Sequence, residues 1–149
     1  MKASIRRAVP GDEHDIVRLV HALATYEREP DAVETTPDGL AALLFGEAPK
    51  VFAHVAEIDG KVVGISVWFF NFSTWTGRHG IYLEDLFVDP AARGQGIGGA
   101  LIQDLVDIGR ERGWSRLYWH TRASNDVARR LYDKFVKADD FVRYRMILD

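Results

Sequence analysis

The sequence predicts a mixed fold, α/β or α+β according to taste, in which helices cover both faces of one sheet. Three observations predict it. Two β-rich runs flank Asp59-Gly60, strand–helix–strand units follow in the second half, and apolar residues recur at helical spacing in four separate stretches. Each amphipathic face must be buried against another layer, so the sheet has to be covered on both sides.

Residues 4–8 have strand propensity, Asp12 follows as a candidate helix cap, and Ile16, Leu19, Val20 and Leu23 recur at i, i+3, i+4 and i+7. Residues 27–35 are polar and acidic with Pro30. Thr36-Pro37 then supplies an N-cap and a proline at the first helical position, opening a helix with Leu40, Leu43 and Leu44. Residues 51–58 and 61–70 are joined by Asp59-Gly60, whose backbone tolerates the positive dihedrals of a tight hairpin, so they form an antiparallel pair. A loop over 71–79, carrying Trp75, leads to a central strand over 81–88 that Pro90 stops. From Gly98 to Arg112 the residues Leu101, Ile102, Leu105 and Ile108 mark one helical face, and Gly113 can end the helix in left-handed backbone. A strand over 116–121 follows, then a helix capped by Ser124 or Asn125 with Val127, Leu131 and Phe135 inward, then a last strand over 141–148. No repeat, low-complexity tract or linker interrupts this order, and 149 residues suit a single domain.

Composition narrows the function classes. Hydrophobic residues at 47% and charged residues at 28% describe an ordinary globular chain rather than a disordered one. Without cysteine there is no disulfide framework, thiolate zinc site or cysteine nucleophile, and cytoplasmic residence is the simplest expectation. No apolar run has signal-peptide or membrane-spanning character, so no membrane partner is expected. A formal charge of −3 disfavours nucleic acid and suits a cationic partner better. The five histidines are dispersed without the i, i+4 pairing of a helical zinc site, so no metal is expected. No Gly-x-Ser-x-Gly elbow offers a hydrolase nucleophile.

Chemistry concentrates in Arg93-Gly94-Gln95-Gly96-Ile97-Gly98, between a predicted strand and a predicted helix. Consecutive N–H groups at a helix N-terminus favour an anion, and glycines permit close approach and positive φ. A diphosphate cradle is one reading, and a tightly packed strand–helix turn is the other. The run lacks the Gly-Lys-Ser/Thr ending of a nucleotide triphosphatase loop and is not Gly-x-Gly-x-x-Gly.

These six residues meet in full the acetyl-CoA signature Arg/Gln-x-x-Gly-x-Gly/Ala of the GCN5-related N-acetyltransferase (GNAT) superfamily, which the chain resembles over nearly its whole length. Leu86-Phe87-Val88-Asp89-Pro90 is similar to that family's central strand and its exit. Tyr82-Leu83-Glu84-Asp85-Leu86-Phe87-Val88 resembles the spermidine/spermine branch, and Tyr118-Trp119-His120-Thr121 with Asn125 and Leu131-Tyr132 resembles the HPA2-like histone and polyamine branch. The resemblance implies a mixed, mostly antiparallel twisted sheet of about six to seven strands with about four helices on both faces. It also implies a homodimer and acetyl-CoA as cosubstrate. Backbone groups of Leu86, Phe87 and Val88 would pair with the pantetheine arm, and amides of Arg93, Gly94, Gln95, Gly96, Ile97 and Gly98 would hold the diphosphate. Asn125 would touch the cofactor arm, although asparagine at such a place is equally an N-cap.

Acetyl transfer requires a neutral amine, whereas an alkylamine has a pKa near ~10.4, so a proton acceptor must stand on the attack side. Glu84 matches the position of the general base in the spermidine/spermine branch, against the commoner fate of a solvent-facing strand carboxylate. Asp85, one residue on, should lie on the opposite pleat. Tyr132 falls where the family presents a tyrosine to the departing sulfur, giving it the role of general acid. Its alternative is the packed edge of the face formed by Val127, Leu131 and Phe135. In the family the segment between the first two helices lines the acceptor side, so the resemblance implies that Glu27, with Glu29, Asp31 and Glu34, and the aromatic Tyr26, Trp75 and Tyr82 meet the acceptor, where aromatic faces and carboxylates attract ammonium groups, although an acidic loop is more often only solvated surface. The expected activity is direct transfer, in a ternary complex, to a primary amine of a polyamine or lysine-like acceptor. A protein or histone lysine acetyltransferase acting on basic peptides, or a noncatalytic acetyl-CoA sensor, are the competing readings. The run Asp133-Lys134-Phe135-Val136-Lys137-Ala138 departs from the family in lacking the glycine that often precedes the last strand.

Overall fold

The computed structural model describes residues 2–149, which fall into two compact units meeting at Trp119 and His120. The first unit contains β1 (Ser4–Arg7), α1 (Glu13–Tyr26), α2 (Pro37–Phe45), β2 (Phe52–Ile58), β3 (Lys61–Ser73), β4 (Arg78–Val88), a 3-10 turn (Pro90–Ala92), α3 (Ile97–Glu111) and β5 (Leu117–Tyr118). The second contains α4 (Asp126–Tyr132).

The sheet runs in the order β1-β2-β3-β4-β5, antiparallel except for the parallel β4–β5 pair. Its two faces carry separate cores. Ile16, Val17 and Leu19 of α1 and Leu40 and Leu44 of α2 pack on Val55, Ile65, Val67 and Phe87. Ile97 and Leu101 of α3 pack on Ala56 and Val63, with Leu86 and Val88 alongside. The predicted α/β layering is therefore present.

Several boundaries follow the predicted chemistry. Thr36 accepts a hydrogen bond from the Gly39 amide, with Pro37 opening the helix. Asp59 (φ 52°) and Gly60 (φ 77°) make the hairpin turn, and Gly113 (φ 70°) follows α3. Asp12 differs, because its side chain makes no cap to α1. Its carboxylate instead accepts Arg6 at 2.7 and 3.1 Å and the Val9 amide at 2.8 Å, while Arg6 also reaches Glu57 at 3.0 Å. This cluster ties β1 to β2 and to the start of α1.

Three expectations are corrected. The loop predicted over 71–79 is largely strand, since β3 runs to Ser73 and β4 begins at Arg78. Phe70 and Phe72 hold this extension together, their rings lying 5.2 and 5.5 Å from His79. The strand predicted over 116–121 is reduced to Leu117–Tyr118. No strand forms over 141–148, where Phe141, Val142, Tyr144, Met146, Ile147 and Leu148 are all exposed. An apolar run becomes a strand only where a neighbouring ladder takes up its N–H and C=O groups, and that partner is not encoded in the run itself. The described sheet accordingly has five strands, not six or seven.

His54 is buried on β2 beneath α3. Trp68 Nε1 donates to its Nδ1 at 3.0 Å, and its Nε2 lies 3.8 Å from Asp104 Oδ2. An indole N–H only donates, so Nδ1 is the acceptor and the neutral ring carries its proton on Nε2. Burial, helped by Arg7 and Arg112, lowers the His54 pKa to about 4. Since the unfolded imidazole titrates near ~6.5, the unfolded chain binds the extra proton first, and stability is lost as pH falls from about 6.5 toward 4. His54→Gln, which retains an acceptor for the indole, should flatten that part of the stability profile in urea unfolding followed across pH.

Candidate functional site

The two edges of β4 have different fates. On one edge, pairing with β3 continues to Val88, opposite Gly64. On the other, pairing with β5 stops at Ile81↔Leu117 and Tyr82↔Tyr118. Gly80 allows the approach there, since a Cβ on it would sit 2.8 Å from the Arg116 carbonyl oxygen. Residues 83–88 of β4 thus present an edge that β5 does not cover, a ready partner for an extended group bearing amides. Leu86, Phe87 and Val88 lie on this stretch, as the sequence suggests. The Val88 carbonyl already accepts Arg93 Nε at 3.1 Å.

Beyond β4, the chain passes through the 3-10 turn into residues 93–96 and then α3. Gly94 (φ 83°) and Gly96 (φ 77°) are left-handed, and a Cβ at either would meet nothing within 4 Å. Backbone conformation, rather than lack of space, therefore calls for glycine at both. Gly96 occupies the N-cap of α3, and its carbonyl accepts the Ala100 amide at 3.0 Å. The amides of Ile97 and Gly98 belong to the first turn, whose donors have no partner within a helix. Together with those of Gly94, Gln95 and Gly96 they gather donors at the positive end of a 15-residue helix. The arrangement can hold a diphosphate.

Arg93 is placed differently from the other five residues. Its amide turns back toward the Pro90 carbonyl at 3.4 Å. Its guanidinium lies 5.2 Å from the centroids of both Tyr26, at the end of α1, and Phe87 on β4. Arg93 therefore clasps the start of the loop to the central strand and to α1.

The carboxylates of β4 sit at an irregularity. Asp85 pairs with Val67 and Leu83 with Trp68, so Glu84 is an extra residue without a partner on β3. The packing on either side shows the effect on facing. Ile81 lies below Gly109 of α3, whereas Leu86 packs in the α3-side core and Phe87 in the α1-side core. Strict alternation from Ile81 would put Phe87 on the α3 side. The extra residue shifts the phase by one, so Glu84 and Asp85 both face the α1 side. The expectation that Asp85 occupies the opposite pleat is overturned. Glu84 is exposed and Asp85 partly buried. Burial, then the charges of Glu84 and Glu27, raises the Asp85 pKa to about 6.

Glu27 directly follows α1, its amide bonded to the Leu23 carbonyl at 2.9 Å. Tyr82 packs on Phe69 and Tyr118, ring centroids 5.2 and 4.9 Å away, and the Tyr118 hydroxyl accepts Asn71 Nδ2 at 2.6 Å. Trp75 stands at the tip of the β3–β4 hairpin, 98% exposed. Among the described residues no group of three His, Asp or Glu side chains is placed to hold a metal ion.

In the second unit, Asn125 rather than Ser124 caps α4, its Oδ1 accepting the Ala128 amide at 3.2 Å. Asn125 Nδ2 donates to Thr121 Oγ1 at 3.4 Å. Tyr132 ends α4 and is half-buried. The face formed by Val127, Leu131 and Phe135 contains no buried residue, so it is not the inward face that its spacing predicts.

Two placements were not read from the sequence, the direction of Asp85 and the stacking of Arg93 on Tyr26 and Phe87. The first needed the bulge, which two successive apolar residues at 86 and 87 conceal. The second offered a legible signal, because an arginine near aromatic residues commonly stacks on them.

Comparison with known proteins adds independent findings. The Acetyltransferase (GNAT) family matches residues 16–136. Bovine thialysine N-epsilon-acetyltransferase is 41% identical over 132 residues, covering 80% of this chain and 77% of that protein. Human spermidine/spermine N(1)-acetyltransferase-like protein 1 is 37% identical over 111 residues, covering 70% of this chain and 16% of that protein. The crystal structure of a ribosomal-protein-alanine N-acetyltransferase from Brucella melitensis biovar Abortus 2308 superposes with a TM-score of 0.79 at 27% identity, covering 98% of this chain and 99% of that one.

Gly96→Ala should cost about 1–2 kcal/mol of stability through the left-handed backbone alone. The same change should weaken acetyl-CoA binding roughly tenfold in calorimetry, equal to ~1.4 kcal/mol, as the amides of the loop are re-aimed.

Proposed function

Because the chain belongs to the GNAT acetyltransferase family, we propose that it moves the acetyl group of acetyl-CoA to a primary amine of a small cationic acceptor. Family membership makes it an N-acetyltransferase. The open edge of β4, leading directly into two left-handed glycines and the N-terminus of α3, is the observation that carries the cosubstrate assignment. An extended arm bearing amides suits the edge, and a diphosphate suits the donors beyond it.

The acceptor class draws on two lines of support. The relatives named for thialysine and for spermidine/spermine share 37–41% identity with this chain. Glu27, Glu84 and Asp85 bring negative charge to the α1 side of β4, which attracts an ammonium group.

Transfer proceeds by direct attack, and acetyl-CoA supplies an activated thioester. A carboxylate of β4 takes the ammonium proton, the role that the family resemblance gives to Glu84. A backbone amide near Phe87 faces the carbonyl oxygen as negative charge develops there. The family resemblance gives Tyr132 the role of protonating the departing sulfur. Tyr26, Tyr82 and Trp75 serve the acceptor side, and Asn125 the cofactor arm. Cytoplasmic residence and a homodimer complete the reading, the latter open to sedimentation equilibrium.

A panel of diamines, polyamines, thialysine, lysine and basic peptides, read by release of free CoA, tests the proposal. Small diamines or lysine-like amines should give the highest kcat/KM, whereas preference for peptides would favour the protein acetyltransferase reading. CoA binding without amine-dependent release would make the chain a sensor. Tyr132→Phe should lower kcat roughly a hundredfold while leaving acetyl-CoA affinity nearly unchanged.

A further inference from the structure

We propose that Asp85, brought onto the same face as Glu84 by the β4 bulge, is the group that takes the proton from the acceptor amine, while the exposed Glu84 beside it draws the ammonium in. The inference rests on the acetyl-transfer reading and assigns the base within it.

Geometry carries the argument. Without the extra residue, Asp85 would point toward α3, into the layer of Ile97 and Leu101. With it, Asp85 shares the α1 side with Phe87 and senses the charge of Glu27 at the end of α1. Glu84, exposed, is well solvated, whereas Asp85 is the less hydrated of the two. Of two adjacent carboxylates in unequal surroundings, the less hydrated one has the greater affinity for a proton. A carboxylate ordinarily titrates near ~4, far from an ammonium near ~10.4. Raised to about 6, Asp85 is a stronger base yet still ionised at neutral pH.

The charged groups bearing on Asp85 are Glu84 on its own strand and Glu27 beyond α1, both raising its pKa. On β3 it is opposed by Val67, and the Arg93 guanidinium lies on the same side over Phe87.

The proton balance is complete. One ammonium proton passes to Asp85 and then to solvent. The freed lone pair forms the nitrogen–carbon bond as the carbon–sulfur bond breaks. The departing sulfur takes up one proton, and the second proton shed by nitrogen makes good its donor.

The test is the pH dependence of kcat/KM for the best amine, measured by CoA release on the wild type, Asp85→Asn and Glu84→Gln. The wild type should show an acid limb near pH 6. Asp85→Asn should lose that limb and at least a hundredfold in kcat, with acetyl-CoA affinity within about twofold. Glu84→Gln should keep the limb but move it to lower pH, because removing a like charge lowers the Asp85 pKa. Its main loss should be in KM for the amine. The reverse pattern, a limb lost in Glu84→Gln and only displaced in Asp85→Asn, would overturn the assignment, as would unchanged rates in Asp85→Asn. If Asp85→Asn does not fold, the Glu84→Gln profile alone decides. Absence of amine-dependent release in the wild type would instead refute acetyl transfer itself.

Discussion

The backbone ladder between β3 and β4 is the contact on which the site depends. It continues to Val88 while the ladder from β4 to β5 ends at Tyr82, so the central strand is held firmly on one edge and left open on the other. If β4 were paired equally on both edges, its backbone groups would be occupied and no extended ligand could join the sheet. The burial of Phe87 among Ile16, Leu19, Ile65 and Val67 keeps the strand in place despite that open edge.

A single irregularity in the same ladder organises the polar side. The partnerless Glu84 moves the whole strand beyond it by half a pleat, which is why Leu86 joins the core under α3 and Phe87 the core under α1. One residue thereby settles both a hydrophobic packing scheme and the direction of two carboxylates. The Arg93 clasp on Tyr26 and Phe87 connects this strand to α1 and to the loop that follows, so three parts of the site share one cation.

Much of the first unit was legible in its residues. Ile16 and Leu19, or Leu101, Ile102 and Leu105, mark buried helical faces because their 3.6-residue period is local information. Asp59-Gly60 and Thr36-Pro37 identify their turn and cap for equally local reasons. The glycine signature after the central strand pointed to the loop whose geometry the structure displays. What escaped was non-local. Strand alternation through Tyr82-Leu83-Glu84-Asp85-Leu86-Phe87-Val88 has no visible break, because Leu and Phe are equally content in either core, and only the β3 partner exposes the slip. The segment 141–148 alternates convincingly yet forms no ladder, and the stretch 71–79, rich in turn formers, extends as strand because Phe70 and Phe72 find His79 across the hairpin.

A cradle made of main-chain donors has a particular tolerance to change. The side chains of Gln95 and Ile97 are not what would grip a phosphate, so their identity is free to answer to other demands, solubility at one and core packing at the other, where Ile97 is already buried under the sheet. The two left-handed glycines have no such freedom, since a side chain at either strains the positive φ that orients the neighbouring amides. Substitutions can therefore accumulate among the side chains around this loop without moving the main-chain donors at the start of α3.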